Sequence, residues 1–441
     1  MRRNIYLFIL GLSFLSPRLL KAQSLKDSVL QQASLNECVQ YALVHFPLVQ
    51  QALIDESITE HQIKSALSQA LPQLDLNYSY QYNFQYAPIF FNGSVLQSGT
   101  HNTSTIGFSA TQNIFNRDLL LATQTAGNLR KQAKENTVSD KIDIVVNVSK
   151  AFYDVLLTEK QISVLDDDIL RLSRSLKDAY NQYKGGLVDK IDYKRATISL
   201  NNSKAQKKAS EETLKAKVAN LKLQMGYLPR NDFALKYDST QMLNEAMIDT
   251  TREVNYDSRI ELQLLQTKKK LQEANLKYYK LAYIPNIQAF GTYNVGGYYN
   301  DNFAKLYGTA YSNSYAGLQF TFPIFQGGKR IQDIKVAELQ VKRVDWDIIS
   351  TKTNINYQYV QALATYKSNL SDYNFLKENY ALAADVYNTL ELQYKQGIKT
   401  YLDVITGETD LRTAEFNLTN ALYQVLSSKY DVEKALGTIN P

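Results

Sequence analysis

The sequence predicts a mainly α-helical chain with a transmembrane β part: four β-strands carried between long coiled-coil helices, in a unit that occurs twice. Three observations predict it. Residues 73–86 alternate apolar and polar without a break; a series of short motifs recurs a little over 210 residues later; and four long tracts are nearly free of helix breakers.

In chain order, the first 22 residues have the form of a secretory signal. Arg2 and Arg3 precede a mostly apolar stretch from Asn4 to Leu15, with cleavage expected after Ala22. That stretch is shorter than the about 20 residues a spanning helix needs. Glu37, where a lipoprotein signal takes a small residue, argues against a lipid anchor on Cys38. The signal holds Arg2, Arg3, Arg18 and Lys21 and no acid, so its loss lowers the formal net charge from +6 to +2. Charge therefore lends no support to nucleic-acid binding. One cysteine makes no disulfide framework, and three histidines and four methionines show no metal-ligand spacing, so neither metal nor cofactor is expected.

In the first strand, expected over 73–86, Leu74, Leu76, Tyr78, Tyr80, Tyr82, Phe84 and Tyr86 share one face, and amides and other polar residues share the other. Strands of soluble sandwiches usually stop after about 5–6 residues, whereas a tilted membrane crossing takes about 9–11. Leu76, Tyr78, Tyr80, Tyr82 and Phe84 are accordingly expected to face lipid. The other strands are expected at 103–115, 286–295 and 315–325, the last placing Phe320 and Phe322 toward lipid as well. Polar loops at 87–102 and 296–314 should join each pair. Pro72 and Pro285 stand where helix gives way to strand, because proline cannot continue a helix.

The duplication appears as an ordered series. Gln182-Tyr183-Lys184-Gly185-Gly186-Leu187 matches Gln393-Tyr394-Lys395-Gln396-Gly397-Ile398, Leu71-Pro72 matches Ile284-Pro285, and Asn113-Ile114-Phe115-Asn116 matches Pro323-Ile324-Phe325-Gln326. Such a period is far beyond the 20–50 residues of solenoids. Residues 23–229 make the first repeat, 230–257 a broken joining element near the equator, and 258–441 the second repeat.

Helices are expected over about 117–182, 189–224, 329–394 and 401–436, the longer ones reaching about 100 Å at 1.5 Å per residue. Tyr359, Tyr366, Tyr373, Tyr380, Tyr387 and Tyr394 recur every seventh residue, the period of a left-handed coiled-coil seam. They read as packing knobs rather than a ladder for stacking substrate.

Four strands cannot close a barrel, since the smallest membrane barrels have about eight, and open edges in lipid leave backbone groups unpaired. The chain must associate with itself. Two copies would supply eight strands around a filled bore, three would supply twelve around a passage.

The duplicated helix–strand–strand–helix plan, the segment Leu-Asn-Glu-Cys-Val-Gln-Tyr-Ala-Leu at 35–43 before Phe46-Pro47, and Tyr-Lys-Gln-Gly-Ile-Lys-Thr-Tyr-Leu-Asp-Val-Ile at 394–405 resemble the TolC-type outer-membrane efflux proteins. The resemblance covers essentially the whole chain after the signal. It implies a homotrimer in outer-membrane lipid, a twelve-stranded barrel, and a periplasmic tunnel of helices. It also implies docking to a periplasmic adaptor and to an inner-membrane pump of proton-driven (RND) or ABC type. The hairpin tips would then meet the adaptor, through Lys184, Gly185, Gly186 and Leu187 in the first repeat and Lys395, Gly397, Ile398 and Thr400 in the second. By the same resemblance, Tyr394 and Lys399 would bond to the first tip with Asp192 as acceptor, and Asp403 would form an acidic ring at the narrowest point. The second acid of that ring, one turn on, is here Thr406, and lysine in place of arginine at 399 loses bidentate geometry. Considered alone, Asp192 and Asp403 read equally as caps of the returning helices.

Competing expectations are an exit duct for type I protein secretion, which the chain itself does not separate from efflux, and a surface coiled-coil structural protein, which leaves the four strands unexplained. No nucleophile elbow, phosphate loop or metal cluster suggests an enzyme.

Overall fold

The computed structural model describes residues 32–186, 188–237 and 245–441. The expected signal at 1–22 and Leu187 of the first tip lie outside the described residues.

The chain opens with β1 (Gln32–Ala33) and α1 (Leu35–His45). Ser34 caps α1 reciprocally with Glu37: the Ser34 N–H donates to Glu37 Oε2 at 2.7 Å and the Glu37 N–H to Ser34 Oγ at 3.4 Å. Phe46 is extended because Pro47 disfavours helix in the residue before it. Pro47 then starts α2 (Pro47–Leu67) at the position where its missing N–H costs nothing.

The next elements are β2 (Gln73–Tyr82), β3 (Ala87–Phe91), β4 (Ser94–Ser98) and β5 (Asn102–Phe115), then α3 (Arg117–Lys184), α4 (Lys190–Met225) and β6 (Ala234–Leu235). The second repeat supplies α5 (Ile260–Lys280), β7 (Asn286–Asn300), β8 (Tyr311–Thr321), α6 (Lys329–Lys395) and α7 (Tyr401–Leu436). β1 pairs in parallel with β6, the joining segment's strand. The main sheet has the order β2-β5-β7-β8, all antiparallel, with one strand of each repeat at either edge.

Directly opposed residues lie on the same face. Leu76 opposes Phe108, which opposes Tyr293; Ala289 opposes Leu318, and Ile287 opposes Phe320. One face of the sheet is therefore largely apolar on all four strands, with Asn102, Ser104 and Ser314 among its residues as well. The other carries Asn77, Ser79 and Gln81 opposite Gly107, Thr105 and Thr103, with Asn77 Nδ2 donating to Ser109 Oγ at 2.9 Å.

Four expectations for the strands are corrected. β2 ends at Tyr82, not 86: the Asn83 N–H makes one last in-register bond to the His101 carbonyl at 2.7 Å, and the chain then leaves the sheet through a bend at Phe84 and Gln85. Residues 87–98, expected as polar loop, form the β3–β4 hairpin around Asn92-Gly93, whose φ values of 47° and 78° suit a two-residue hairpin turn. Gly296-Gly297 lies within β7, at a register shift between Asn294 and Gly297, instead of ending the strand. β8 runs over 311–321, four residues earlier than expected, because Pro323 has no N–H for a ladder; Phe322 falls just outside it.

The long helices lie within two residues of their expected bounds. α3 has 68 residues and α6 has 67, each about 100 Å long. Gly226 and Gly437 end α4 and α7 in the left-handed conformation, at φ 66° and 69°. The main core gathers Val49, Phe152, Leu221, Met225, Tyr366 and Leu426 where α1–α4, α6 and α7 meet the joining segment. The heptad tyrosines are packing knobs. Tyr366, Tyr373 and Tyr387 are buried and Tyr359, Tyr380 and Tyr394 half-buried. The Tyr366 hydroxyl also donates to the Ala246 carbonyl at 2.9 Å and accepts from the Ile248 N–H, tying the joining segment to α6.

Candidate functional site

Each repeat ends in a helical hairpin whose turn needs glycine. At the first tip α3 closes on Gly185, Gly186 takes φ 74°, and α4 begins after Asp189. At the second, Gly397 takes φ 75° and α7 begins after Thr400. Nothing lies within 4 Å of a Cβ built on Gly186 or Gly397, so the glycines are required by backbone conformation and the tip surfaces are open.

The two acids differ in local role. Asp403 completes a capping box: the Thr400 N–H and Oγ1 donate to its Oδ2 at 2.9 and 2.8 Å, and its own N–H donates to Thr400 Oγ1. Those bonds, followed by the charge of Lys399, hold its carboxyl below the usual range. Asp192 does not cap α4. Asp189 does, accepting from the Ile191 N–H at 3.2 Å, and Asp192 sits in the first turn.

The Tyr394 hydroxyl donates to Gln182 Oε1 of the first hairpin at 3.0 Å, so the two tips are bonded within one protomer. Its partner is Gln182 rather than Asp192, whose charge, after burial, pushes the Tyr394 pKa up. Tyr401 is buried against Ala179 and Ala196 and meets the Tyr394 ring edge-on at 5.8 Å. Lys399 forms no ion pair among the described residues, though it lies near enough to Asp403 to lower that carboxyl. Lys184 stands over the Tyr180 ring at 5.1 Å, and Lys395 pairs with Glu391 at 2.9 Å.

Further along the long helices lies a cluster absent from the sequence expectations. Asp168, fully buried on α3, accepts from Arg412 of α7 at 2.9 Å and from Ser203 of α4 at 2.6 Å. Arg171, one turn from Asp168, donates to buried Glu408 of α7 at 3.2 Å. Burial, then the Asp168 charge, pushes Glu408 up to about 7 against the pull of Arg171 and Arg412. The available signal was a pair of charges at i,i+3 on α3 facing another at i,i+4 on α7, within otherwise apolar seams.

In the sheet, Leu76, Tyr78, Tyr80, Tyr82 and Phe320 lie on the largely apolar face and are exposed, at 64% for Leu76. The Tyr80 hydroxyl donates to Asn102 at 2.7 Å, and Tyr78 meets the hydroxyl of Tyr307 from the β7–β8 loop at 3.0 Å. Among the described residues there is no group of acids, histidines and cysteines able to hold a metal, and no helix long and apolar enough to cross a membrane.

Residues 38–227 and 257–438 match the model of the family described as Outer membrane efflux protein. The chain is similar to the outer membrane protein TolC of Escherichia coli (strain K12), 24% identical over 442 residues that cover 94% of this chain and 84% of that protein. It is similar to TolC of Vibrio cholerae at 22% over 390 residues, covering 86% and 84%. Among solved structures, the outer membrane protein VceC from Vibrio cholerae superposes with a TM-score of 0.72 at 14% identity, covering 91% of this chain and 96% of that one. CusC superposes at 0.74 with 15% identity, covering 93% and 95%. The open state of the MtrE outer membrane channel of Neisseria gonorrhoeae superposes at 0.70 with 18% identity, covering 91% and 88%. At these identities the superpositions establish a shared fold.

Proposed function

We propose that this chain, which belongs to the outer membrane efflux protein family, is the passive exit duct of a tripartite efflux system. It is an outer-membrane channel protein with a long periplasmic portion. Three copies place their four strands each in one twelve-stranded barrel, with the apolar face toward lipid and the amide face toward water. The hairpins continue that barrel as a tunnel across the periplasm. Lys184, Gly185, Gly186 and Leu187 with Lys395, Gly397, Ile398 and Thr400 meet a periplasmic adaptor, which joins the duct to an inner-membrane pump. The observation that carries this reading is a sheet with one apolar face and two open edges, rooted on helical hairpins whose tips are bonded to each other.

In this reading the duct does no chemistry. The tip is held narrow by the Tyr394–Gln182 bond and by Tyr401 packed in the first hairpin. Asp192, beside Tyr394, is the acceptor that Lys399 reaches in the closed ring. An adaptor that engages the open tip surfaces draws α6 and α7 away from α3 and α4. Three Asp403 carboxylates at the constriction repel one another and attract cations, as charged rings do in other pores.

The deciding measurement is planar-bilayer conductance of the purified protein beside its Tyr394→Phe/Lys399→Ala variant. A small conductance that rises clearly in the variant is expected. No channel from either protein overturns the duct; equal, large conductances keep the duct and remove the latch.

A further inference from the structure

Every strand residue of the β3–β4 hairpin is exposed. Its register sets Ile89 opposite Leu96 on one face and Phe90 opposite Val95 on the other. Both faces thus carry large apolar side chains, beside Ser94 and Ser98 on the first and Gln97 on the second, with Phe90 79% exposed. From Asn83 to Thr100 there is no Asp, Glu, Lys or Arg. Among the described residues no third strand pairs with either edge. An isolated two-stranded hairpin is marginal in water even with one polar face.

Its root is nonetheless built firmly. Asn83 and His101 are joined by the Asn83 N–H and by the His101 ring, which contacts the Asn83 carbonyl at 2.9 Å. The His101 N–H donates to Asp301 at 2.7 Å, and the His101 ring stacks on Tyr86 at 4.4 Å between centroids. The hairpin therefore projects from a fixed point at the outer end of β2, the sheet edge that a neighbouring copy must close.

Three surroundings can be weighed. Water satisfies the open edges but not the two apolar faces. Hydrocarbon satisfies the faces but leaves the edge N–H and C=O groups unpaired. Another copy of the same hairpin satisfies both, by pairing edges and covering faces. The reach is sufficient. Twelve strands about 4.8 Å apart and tilted about 40° enclose a radius of about 12 Å, and five strand residues extend about 17 Å.

We propose that the β3–β4 hairpins of neighbouring protomers associate with one another over the outer mouth of the barrel, making an external constriction separate from the periplasmic tips. This rests on the trimeric reading above, so the assembly of the unsubstituted protein is measured first, by light scattering in detergent.

Phe90→Cys supplies one thiol per hairpin. Cys38 is a silent background, since it is fully buried and burial pushes its thiol up to about 12. Air with copper–phenanthroline oxidises two such thiols to a disulfide, the electrons passing to oxygen. The expected result is an intact trimer in which two of the three chains run as a dimer on a non-reducing denaturing gel, at a yield independent of protein concentration. An intact trimer whose chains all run as monomers overturns the proposal. The Phe90→Trp variant, made with Trp346→Phe to remove the other tryptophan, tests the lipid alternative. Strong quenching by brominated phosphatidylcholine in liposomes overturns the proposal; shielding from both lipid bromine and aqueous acrylamide upholds it. A protein that is not trimeric at the outset removes the assembly reading, and the proposal with it.

Discussion

Glu408 shows what burial does to a single group. Burial pushes its carboxyl up to about 7, well above the usual carboxylate range, so the folded chain binds that proton more tightly than the unfolded one. The stabilisation this contributes is complete below about 4.5 and is lost as pH rises through about 7, on the order of 3 kcal/mol in all. Thermal melts of wild type and Glu408→Gln at pH 5 and pH 8 check it: wild type should lose stability relative to the variant at the higher pH, and parallel shifts would refute the assignment. Asp403→Asn asks a different question, because asparagine keeps an acceptor for Thr400 and preserves the cap while removing the charge. Reversal potentials under a potassium chloride gradient should move toward zero, and unchanged potentials reject the acidic ring. Tyr394, Thr400 and Asp403 were visible in the sequence because their spacing is local. Gln182 as the Tyr394 partner was not, since it is 212 positions away and the contact depends on how two hairpins lie side by side.

At the scale of elements, sheet faces and helix ends make separable demands. Tyr80→Arg sets a charge on the apolar face and should cost about 2–4 kcal/mol if that face meets lipid, whereas Gln81→Arg should assemble normally. Heat-stable trimer on a mildly denaturing gel reads both, and the reverse pattern would mean the faces are interchanged. Gly226 and Gly186 form a matched pair. Both have positive φ, but a Cβ on Gly226 would stand 2.9 Å from Phe46 Cα, while one on Gly186 meets nothing within 4 Å. Gly226→Ala adds a backbone collision to the strain of about 1–3 kcal/mol, so it should lower the melting temperature more than Gly186→Ala does; equal effects would show that the approach of α1–α2 to α4 yields freely. The β3–β4 hairpin was legible in principle: Asn92-Gly93 between apolar runs is a strong hairpin signal. The alternation of β2 nevertheless runs on in the sequence to Tyr86, and only the bend at Phe84 and Gln85 shows where the sheet ends.

At the scale of the whole molecule, β2 and β8 are the edges of the main sheet, and the proposed closure of those edges by neighbouring copies predicts three chains per particle in light scattering. The architecture was readable in one dimension because its parts are periodic. Alternation with period two marks strands, a heptad of tyrosines marks coiled-coil helices, and recurrence after a little over 210 residues marks the duplication. Each is a regularity of the chain itself, so the sequence alone determined the order, type and length of the four long helices, the four-strand count of the main sheet and the positions of both tips. Tertiary structure decided the rest. The strand order β2-β5-β7-β8, the bulge at Gly296-Gly297, the Tyr394–Gln182 bond and the buried Asp168–Arg412 and Arg171–Glu408 pairs all join the two repeats or bend one strand against another. Local periodicity fixes which face a side chain occupies, but the partner on the facing element is set only when distant segments pack, and desolvation then decides which charges must find one another.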